Sequence, residues 1–196
     1  LAPSGVSRSW RDLAGIAVPA GAVWLAWGVL SAPLAERLPV EMAVRIAPTS
    51  PAVLLRAADD ELLNGRTDNA RFLATESLRR APFNAEALRV LALAVDRAGR
   101  SADADEIMTL AGNWSLRDSP AHAWLVERRL RQGDYASSFG HAATLLAREQ
   151  PDPQNIYRLF QAAAVNDPRG LAALRALLVR EPAWRQRFFA WLQRDA

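Results

Sequence analysis

Two histidines, His122 and His141, are the only imidazoles in the sequence, and cysteine is absent. Disulfides, thiolate metal sites and cysteine nucleophiles are therefore excluded. No carboxylate or second histidine stands at ligand spacing from either residue, so we expect packing or surface roles for both and no bound metal.

Other reactive side chains lack the order that catalysis needs. Ser137, Ser138 and Gly140 do not form the G-x-S-x-G elbow of a nucleophilic serine. The acidic run at residues 59–61 spreads over different faces of one helix, which is typical of solvated charge. No glycine-rich phosphate loop is present. We therefore expect no catalytic residues, no enzyme activity and no cofactor.

The charge pattern limits the kinds of partner. All basic residues are arginines, and the formal net charge is +3. After residue 36 these arginines alternate with acidic residues, whereas a nucleic-acid surface needs clustered positive charge. We therefore expect no nucleic-acid binding. Arginine without lysine, together with much alanine and leucine, indicates a GC-rich bacterial genome.

An uncharged stretch covers residues 13–35. As a helix it would measure about 34 Å, enough to cross a hydrocarbon core of roughly 30 Å. A cleaved signal peptide has a shorter apolar core and a small-residue cleavage site, and a buried globular helix is seldom apolar all round for so long. We prefer a single-pass membrane helix and keep the signal peptide and the core helix as alternatives.

Arginines flank this stretch on both sides. Arg8 and Arg11 precede it, while Arg37 and Arg45 follow it, so the positive-inside rule discriminates weakly between the two orientations. We expect an inner-membrane protein whose amino terminus is cytoplasmic and whose body lies in the periplasm.

Glycine and proline recur at a fixed interval in the rest of the chain. Gly65, Gly99 and Gly133 are 34 residues apart, and Pro48 and Pro82 have the same spacing. Apolar residues at three- and four-residue steps predict helices, and glycine adopts the left-handed conformation that ends one. The interval predicts helix pairs in four units, namely residues 51–84, 85–118, 119–152 and 153–186.

Within each unit, the residue types fit two closely packed helices. Asp68, Ser101 and Asp134 follow the glycines, and we expect them to cap the second helices. Small residues then let the paired helices approach each other: Ala70, Ala74, Ser77, Ala104 and Ala111.

The pattern resembles the tetratricopeptide repeat (TPR) family, whose unit is 34 residues of helix–turn–helix. The sequence QGDY at residues 132–135 matches the family's turn, Ala70 and Ala104 match its small residue early in the second helix, and Pro82 matches its unit-ending proline. The fourth unit departs from the pattern, because Asp167 stands where the glycine is expected. We expect that unit to be degenerate.

The expected fold is all-α, with a transmembrane helix, an α-solenoid of about four TPR-like repeats and a C-terminal capping helix. Trp184, Phe188, Trp191 and Leu192 form one stripe that we expect to cover the last repeat, with docking on a membrane or partner as the alternative. The expected organisation is an N-terminal segment (1–12), the transmembrane helix (13–35), a connecting helix or partial repeat (36–50), the repeat domain (51–186) and the end of the capping helix (187–196).

The resemblance implies a concave wall of first helices, on which such proteins hold partner segments. Arginine can clamp a partner carboxylate, and Trp124 and Tyr157 are expected to offer apolar platforms. The alternative is a solvated face with internal arginine–acid pairs. The positions that the resemblance nominates are Arg56, Asp59, Arg89, Asp96, Arg97, Trp124, Glu127, Arg131, Tyr157, Arg158 and Gln161.

An anchor followed by such repeats is similar to bacterial envelope accessory proteins. We expect a scaffold that binds protein partners in an envelope machine, and polysaccharide synthesis or export is our first choice. The alternative is an accessory structural subunit of a membrane enzyme or secretion complex, held mainly through its transmembrane helix, with Ala17 and Gly21 on the contact face.

Overall fold

The computed structural model describes residue 35, residues 37–148 and residues 153–195. This part of the chain contains ten helices and no strand, and it divides into two compact units, the first ending at Pro82 and the second beginning at Phe83. The all-α prediction is confirmed for these residues. The helices are α1 (Val40–Ile46), α2 (Pro51–Leu63), α3 (Thr67–Arg80), α4 (Ala85–Arg97), α5 (Ser101–Trp114), α6 (Ser119–Arg131), α7 (Tyr135–Leu146), α8 (Gln154–Asn166), α9 (Pro168–Val179) and α10 (Arg185–Asp195).

The predicted membrane segment, residues 13–35, lies outside the described residues except for Ala35. The N-terminal segment, residues 1–12, lies outside them as well. Within the described part of the chain, no helix is both long and apolar enough to cross a bilayer.

Three glycine turns join the helices into pairs. Gly65, Gly99 and Gly133 have φ angles of 76°, 82° and 72°, in the left-handed region that a side chain disfavours. In the first turn the Gly65 N–H donates to the Leu62 carbonyl, while the next N–H reaches back to the Glu61 carbonyl. These bonds satisfy carbonyls that the helix end leaves open. The predicted helix-ending role of the three glycines is confirmed.

Two of the three predicted caps are wrong. Asp68 lies inside the first turn of α3, and α5 begins at Ser101 itself. The capping position is the residue directly after the glycine, and that residue is an arginine in the first two turns. Asp134 occupies the position in the third turn and accepts a hydrogen bond from the Ser137 N–H at 3.1 Å, as predicted.

Small residues form the contacts within the helix pairs, as predicted. The Ser77 hydroxyl donates to the Pro51 carbonyl at 2.9 Å, and the Ser138 hydroxyl donates to the Val126 carbonyl at 3.0 Å. Both serines therefore satisfy their polar groups on the neighbouring helix. The predicted positions are all fully buried: Ala70, Ala74, Ser77, Ala104 and Ala111.

The fourth helix pair is joined by one residue, Asp167, which ends α8 and caps α9. Its carboxylate accepts hydrogen bonds from the side chain and the backbone N–H of Arg169, and these bonds lower the pKa of Asp167 to about 2. The two helices cross so closely that a Cβ at Gly170 would lie 2.4 Å from the Ala163 carbonyl oxygen. A capping aspartate thus replaces the glycine turn.

The C-terminal helix covers the fourth pair. Trp184, Phe188 and Trp191 are buried, and their rings pack against Phe160 and Tyr157 of α8. The predicted aromatic stripe therefore lies inside the core of the second unit, as a capping role requires.

Candidate functional site

The two nominated residues of the first unit lie on α2. The Arg56 guanidinium donates to the Ala35 carbonyl at 3.0 Å and to the Leu38 carbonyl at 2.8 Å. Arg56 therefore fastens the beginning of the described chain to α2, which is a structural role. Asp59 is half-buried on the same helix.

Arg89 is also engaged within the protein. Its Nε lies 3.1 Å from the carboxylate of Asp118, the residue that caps α6. Only 17% of the Arg89 side chain and 2% of the Asp118 side chain are exposed. The arginine thus joins α4 to the start of α6 and presents little surface to a partner.

The fourth unit departs most from the predicted surface. Tyr157 was expected to be an exposed platform, but it is only 3% exposed, so this prediction is wrong. The reason is α10, whose Phe188 and Trp191 lie over the tyrosine ring. Arg158 is exposed and Gln161 half-buried on the same helix.

Four nominated residues come together around a cavity of about 230 Å³ in the second unit. Two further residues complete its wall, and the nominated Arg97, exposed at the end of α4, stays outside. We call this feature the α4–α6 cavity. It is lined by Asp96, Ser101, Trp124, Glu127, Arg128 and Arg131.

One wall of the cavity combines an aromatic ring with a guanidinium. Arg128 holds its Cζ atom 6.0 Å from the centroid of the Trp124 ring, in cation–π range. The same guanidinium donates to the Ser101 carbonyl at 3.3 Å, while the Ser101 hydroxyl donates to the Asp96 carboxylate at 2.7 Å. These bonds fix the end of α4, the beginning of α5 and the middle of α6 relative to one another.

The rim of the cavity carries an exposed ion pair. Arg131 donates to Glu127 one helical turn earlier, and both side chains are 65% exposed. With Asp96 and Arg128, the cavity has two acidic and two basic side chains. Its charge is therefore balanced, which suits a ligand that carries both signs.

A polar network behind the cavity holds α6 against α5. The Asp105 carboxylate on α5 accepts hydrogen bonds from Arg129 at 2.7 Å and from Gln132 at 3.1 Å, and Arg129 also donates to the Thr109 hydroxyl. Burial raises the pKa of Asp105, but the bonds from Arg129 and Gln132 outweigh burial and lower it overall. These bonds fix the position of α6 against α5, and with it the position of the cavity wall that α6 forms.

Sequence reasoning missed Ser101 and Arg128 as lining residues. The resemblance nominates first-helix positions, whereas Ser101 opens a second helix, and Arg128 lies next to the nominated Glu127 on α6. The spacing of Trp124 and Arg128, one turn apart, was the available signal for an aromatic–arginine contact. Within the described residues, no cluster of three or more potential ligands could hold a metal ion.

No protein-family model matches the sequence, and no curated protein matches it significantly.

Proposed function

We propose that this protein is a membrane-anchored, non-catalytic scaffold of the TPR type that binds segments of partner proteins. The observation that carries the proposal is the α4–α6 cavity, where Trp124, two arginines and two acids converge. Tryptophan and arginine are the side chains most enriched at binding hot spots. The repeated glycine turns and helix pairs support the comparison with TPR proteins.

A partner segment would bind by exchanging contacts that cost little to break. Glu127 and Arg131 are largely exposed, and an exposed ion pair contributes about 0–1 kcal/mol. Each side chain can therefore turn toward an opposite charge on the partner. Trp124 offers an apolar face beside them. The balanced charge favours a segment with both acidic and basic groups over a polyanion.

The uncharged segment, residues 13–35, supports placing this scaffold at a membrane. An anchor raises the effective concentration of the cavity near other membrane proteins. We place the helical body in the periplasm and its partners in a bacterial envelope machine, with polysaccharide synthesis or export as the first system to examine. A reporter fused after Ala196 tests this orientation and should be active only outside the cytoplasm.

A second candidate is an accessory subunit of a membrane complex, held through residues 13–35. Ala35, the last residue of that segment, favours this alternative, because it is fully buried and its carbonyl is bound by Arg56. The last residue of the uncharged segment is therefore packed into the first folded unit. Replacing residues 13–34 by an unrelated apolar helix separates the candidates: a scaffold retains its partners, whereas a subunit held by its membrane helix loses them.

The main experiment measures partner capture from detergent-solubilised membranes with Trp124→Ala/Arg131→Ala. The matched control is Trp114→Ala/Arg175→Ala, which removes the same residue types at exposed positions outside the cavity. The cavity variant should lose partners that the wild type and the control retain, with its helical content unchanged. Equal recovery with all three proteins would show that the cavity is not the binding site.

A further inference from the structure

The two histidines of the chain meet in the second unit, although the sequence offers no reason to pair them. His122 on α6 and His141 on α7 place their Nδ1 atoms 3.0 Å apart. His122 is only 2% exposed, and His141 is half-buried. The ring centroids are 5.2 Å apart, about as far as two rings whose Nδ1 atoms point straight at each other. This is the geometry of an N–H···N hydrogen bond.

The two histidine rings pack against α5 at a glycine, which has no side chain to displace them. A Cβ at Gly112 would lie 3.8 Å from His122 Cε1 and 3.9 Å from His141 Cε1, besides meeting the Leu125 side chain at 2.7 Å. The histidines therefore belong to the junction of α5, α6 and α7. Their hydrogen bond directly joins the His122 ring on α6 to the His141 ring on α7.

The number of protons on the pair decides whether this bond can exist. An N–H···N bond needs one Nδ1 with a proton and one without. When both imidazoles are protonated, both Nδ1 atoms are donors, and two positive charges face each other at 3.0 Å. The rings must then separate. A bond of this kind holds the helices together in the neutral pair and is lost in the doubly protonated pair.

The surroundings oppose protonation of either ring. Arg148, two residues after the end of α7, lies near His122, and Arg129 of α6 lies near His141. The carboxylates that could compensate are engaged elsewhere: Asp118 binds Arg89, and Asp134 caps α7. On the α5 side, the backbone of Ser115 faces His122 and favours its protonation, but burial outweighs this effect.

These surroundings set the direction of the titration. Burial lowers the pKa of His122, as does Arg148, against the opposing effects of Ser115 and Asp118. Burial, His122 and Arg129 lower the pKa of His141 to about 4, against Asp134. Because an unfolded histidine titrates near pH 6.5, the open state binds more protons than the closed state between about pH 6.5 and 4. Acidification through this window therefore favours opening.

We propose that His122 and His141 form an acid-sensitive latch that holds α6 on α7 at neutral pH and releases it when both rings take up protons. Opening displaces α6, which carries four of the six residues that line the α4–α6 cavity. In this second step, which rests on the proposed function, acidification releases the partner segment from the cavity.

The first test follows imidazole protonation directly. The chain has only two histidines, so ¹³C-histidine labelling of the full protein in detergent gives two assignable ring signals. The latch requires the midpoints of both rings to lie below the ordinary histidine value, with that of His141 near pH 4. Midpoints near the ordinary histidine value for both rings would overturn the latch, because the pair would then protonate without resistance.

The second test measures opening by hydrogen exchange of the full chain at pH 7 and pH 5, corrected for the intrinsic pH dependence of exchange. The variant is His141→Asn, whose side-chain amide replaces Nδ1 without titrating, and His122→Asn is a second variant of the same kind. In the wild type, the opening constant of residues 121–146 should rise on the order of tenfold for each pH unit and proton taken up. The helix pair α2–α3, which has no histidine, should not respond.

Each asparagine variant should lose the share of this pH dependence that its missing proton contributes, while keeping the wild-type protection at pH 7. Identical pH dependence in the wild type and both variants would overturn the latch. Partner capture at the two pH values separates the two proposals. If Trp124→Ala/Arg131→Ala captures normally, the proposed function fails, whereas the imidazole and exchange measurements still decide the latch.

Discussion

Arg89 of α4 binds the carboxylate of Asp118, the cap of α6, at 3.1 Å in a largely buried contact. Asp118 also accepts the Ala121 N–H, so one carboxylate joins two successive helix pairs of the second unit. Arg89 was nominated from the sequence as a partner contact. The structure gives it a different task, because removing it leaves a buried carboxylate without its counter-ion.

The first prediction concerns this pair. Arg89→Ala should lower the free energy of unfolding by about 3 kcal/mol, since an uncompensated buried charge is costly. Denaturation by urea, followed by circular dichroism, measures the loss. Arg97→Ala, at the exposed end of the same helix, is the control and should change stability by less than about 0.5 kcal/mol. Equal effects of the two substitutions would contradict a structural role for Arg89.

The second prediction concerns the close crossing of α8 and α9. Gly170→Ala should destabilise the protein by about 1–3 kcal/mol, because the new Cβ meets the Ala163 carbonyl oxygen and the backbones must move apart. Gly140→Ala is the control, since a Cβ there meets no atom within 4 Å. That change should stabilise α7 by about 0.5–1 kcal/mol, because alanine favours the helix over glycine. Stabilisation by both substitutions would be incompatible with the crossing described.

The third prediction concerns backbone conformation alone. Glu181 has a φ angle of 51°, in the left-handed region that costs a residue with a Cβ about 1 kcal/mol. Glu181→Gly should therefore raise stability by about that amount, because the ion pair it gives up with Arg185 is exposed. Gly99→Ala should lower stability. The φ angle of Gly99 is 82°, and a Cβ added there meets no atom within 4 Å, so the cost comes from the backbone conformation alone. Thermal unfolding of both variants checks the opposite signs; the same sign for both would be inconsistent with this backbone.

The fourth prediction concerns the aromatic core under α10. Phe188 is fully buried between Tyr157 and Phe160, whereas the neighbouring Phe189 is 42% exposed. Phe188→Ala should cost about 3–5 kcal/mol through the lost burial and the cavity left behind. Phe189→Ala should cost far less. If α10 docked elsewhere instead of capping α8 and α9, the two substitutions would have similar, small effects on stability.

The helix pairs could be predicted because their signals are local. Turn glycines and the small residues of helix contacts are visible in the sequence. Gly65, for example, has the positive φ angle that glycine tolerates best. The caps were placed wrongly at Asp68 and Ser101 because the glycine turn is shorter than expected. A single residue separates the glycine from the next helix.

The candidate site was only partly predictable, because surface exposure depends on what packs over each helix. Carrying one repeat register along the chain nominated Trp124, which lines the α4–α6 cavity, but it failed at Tyr157, where α10 covers α8. The pairing of His122 with His141 was missed because their contact arises from the packing of α6 on α7, which spacing along the chain does not reveal.

The most direct test of the central claim places a photo-reactive phenylalanine analogue at position 127, on the rim of the α4–α6 cavity, in the full-length protein in its native membrane. Position 175, exposed on α9, is the matched control site. Irradiation should join a specific partner protein to position 127 and not to position 175, and Trp124→Ala in the same chain should abolish that product. Equal cross-linking at both positions, or a product at 127 that survives Trp124→Ala, would contradict the claim that this cavity holds the partner.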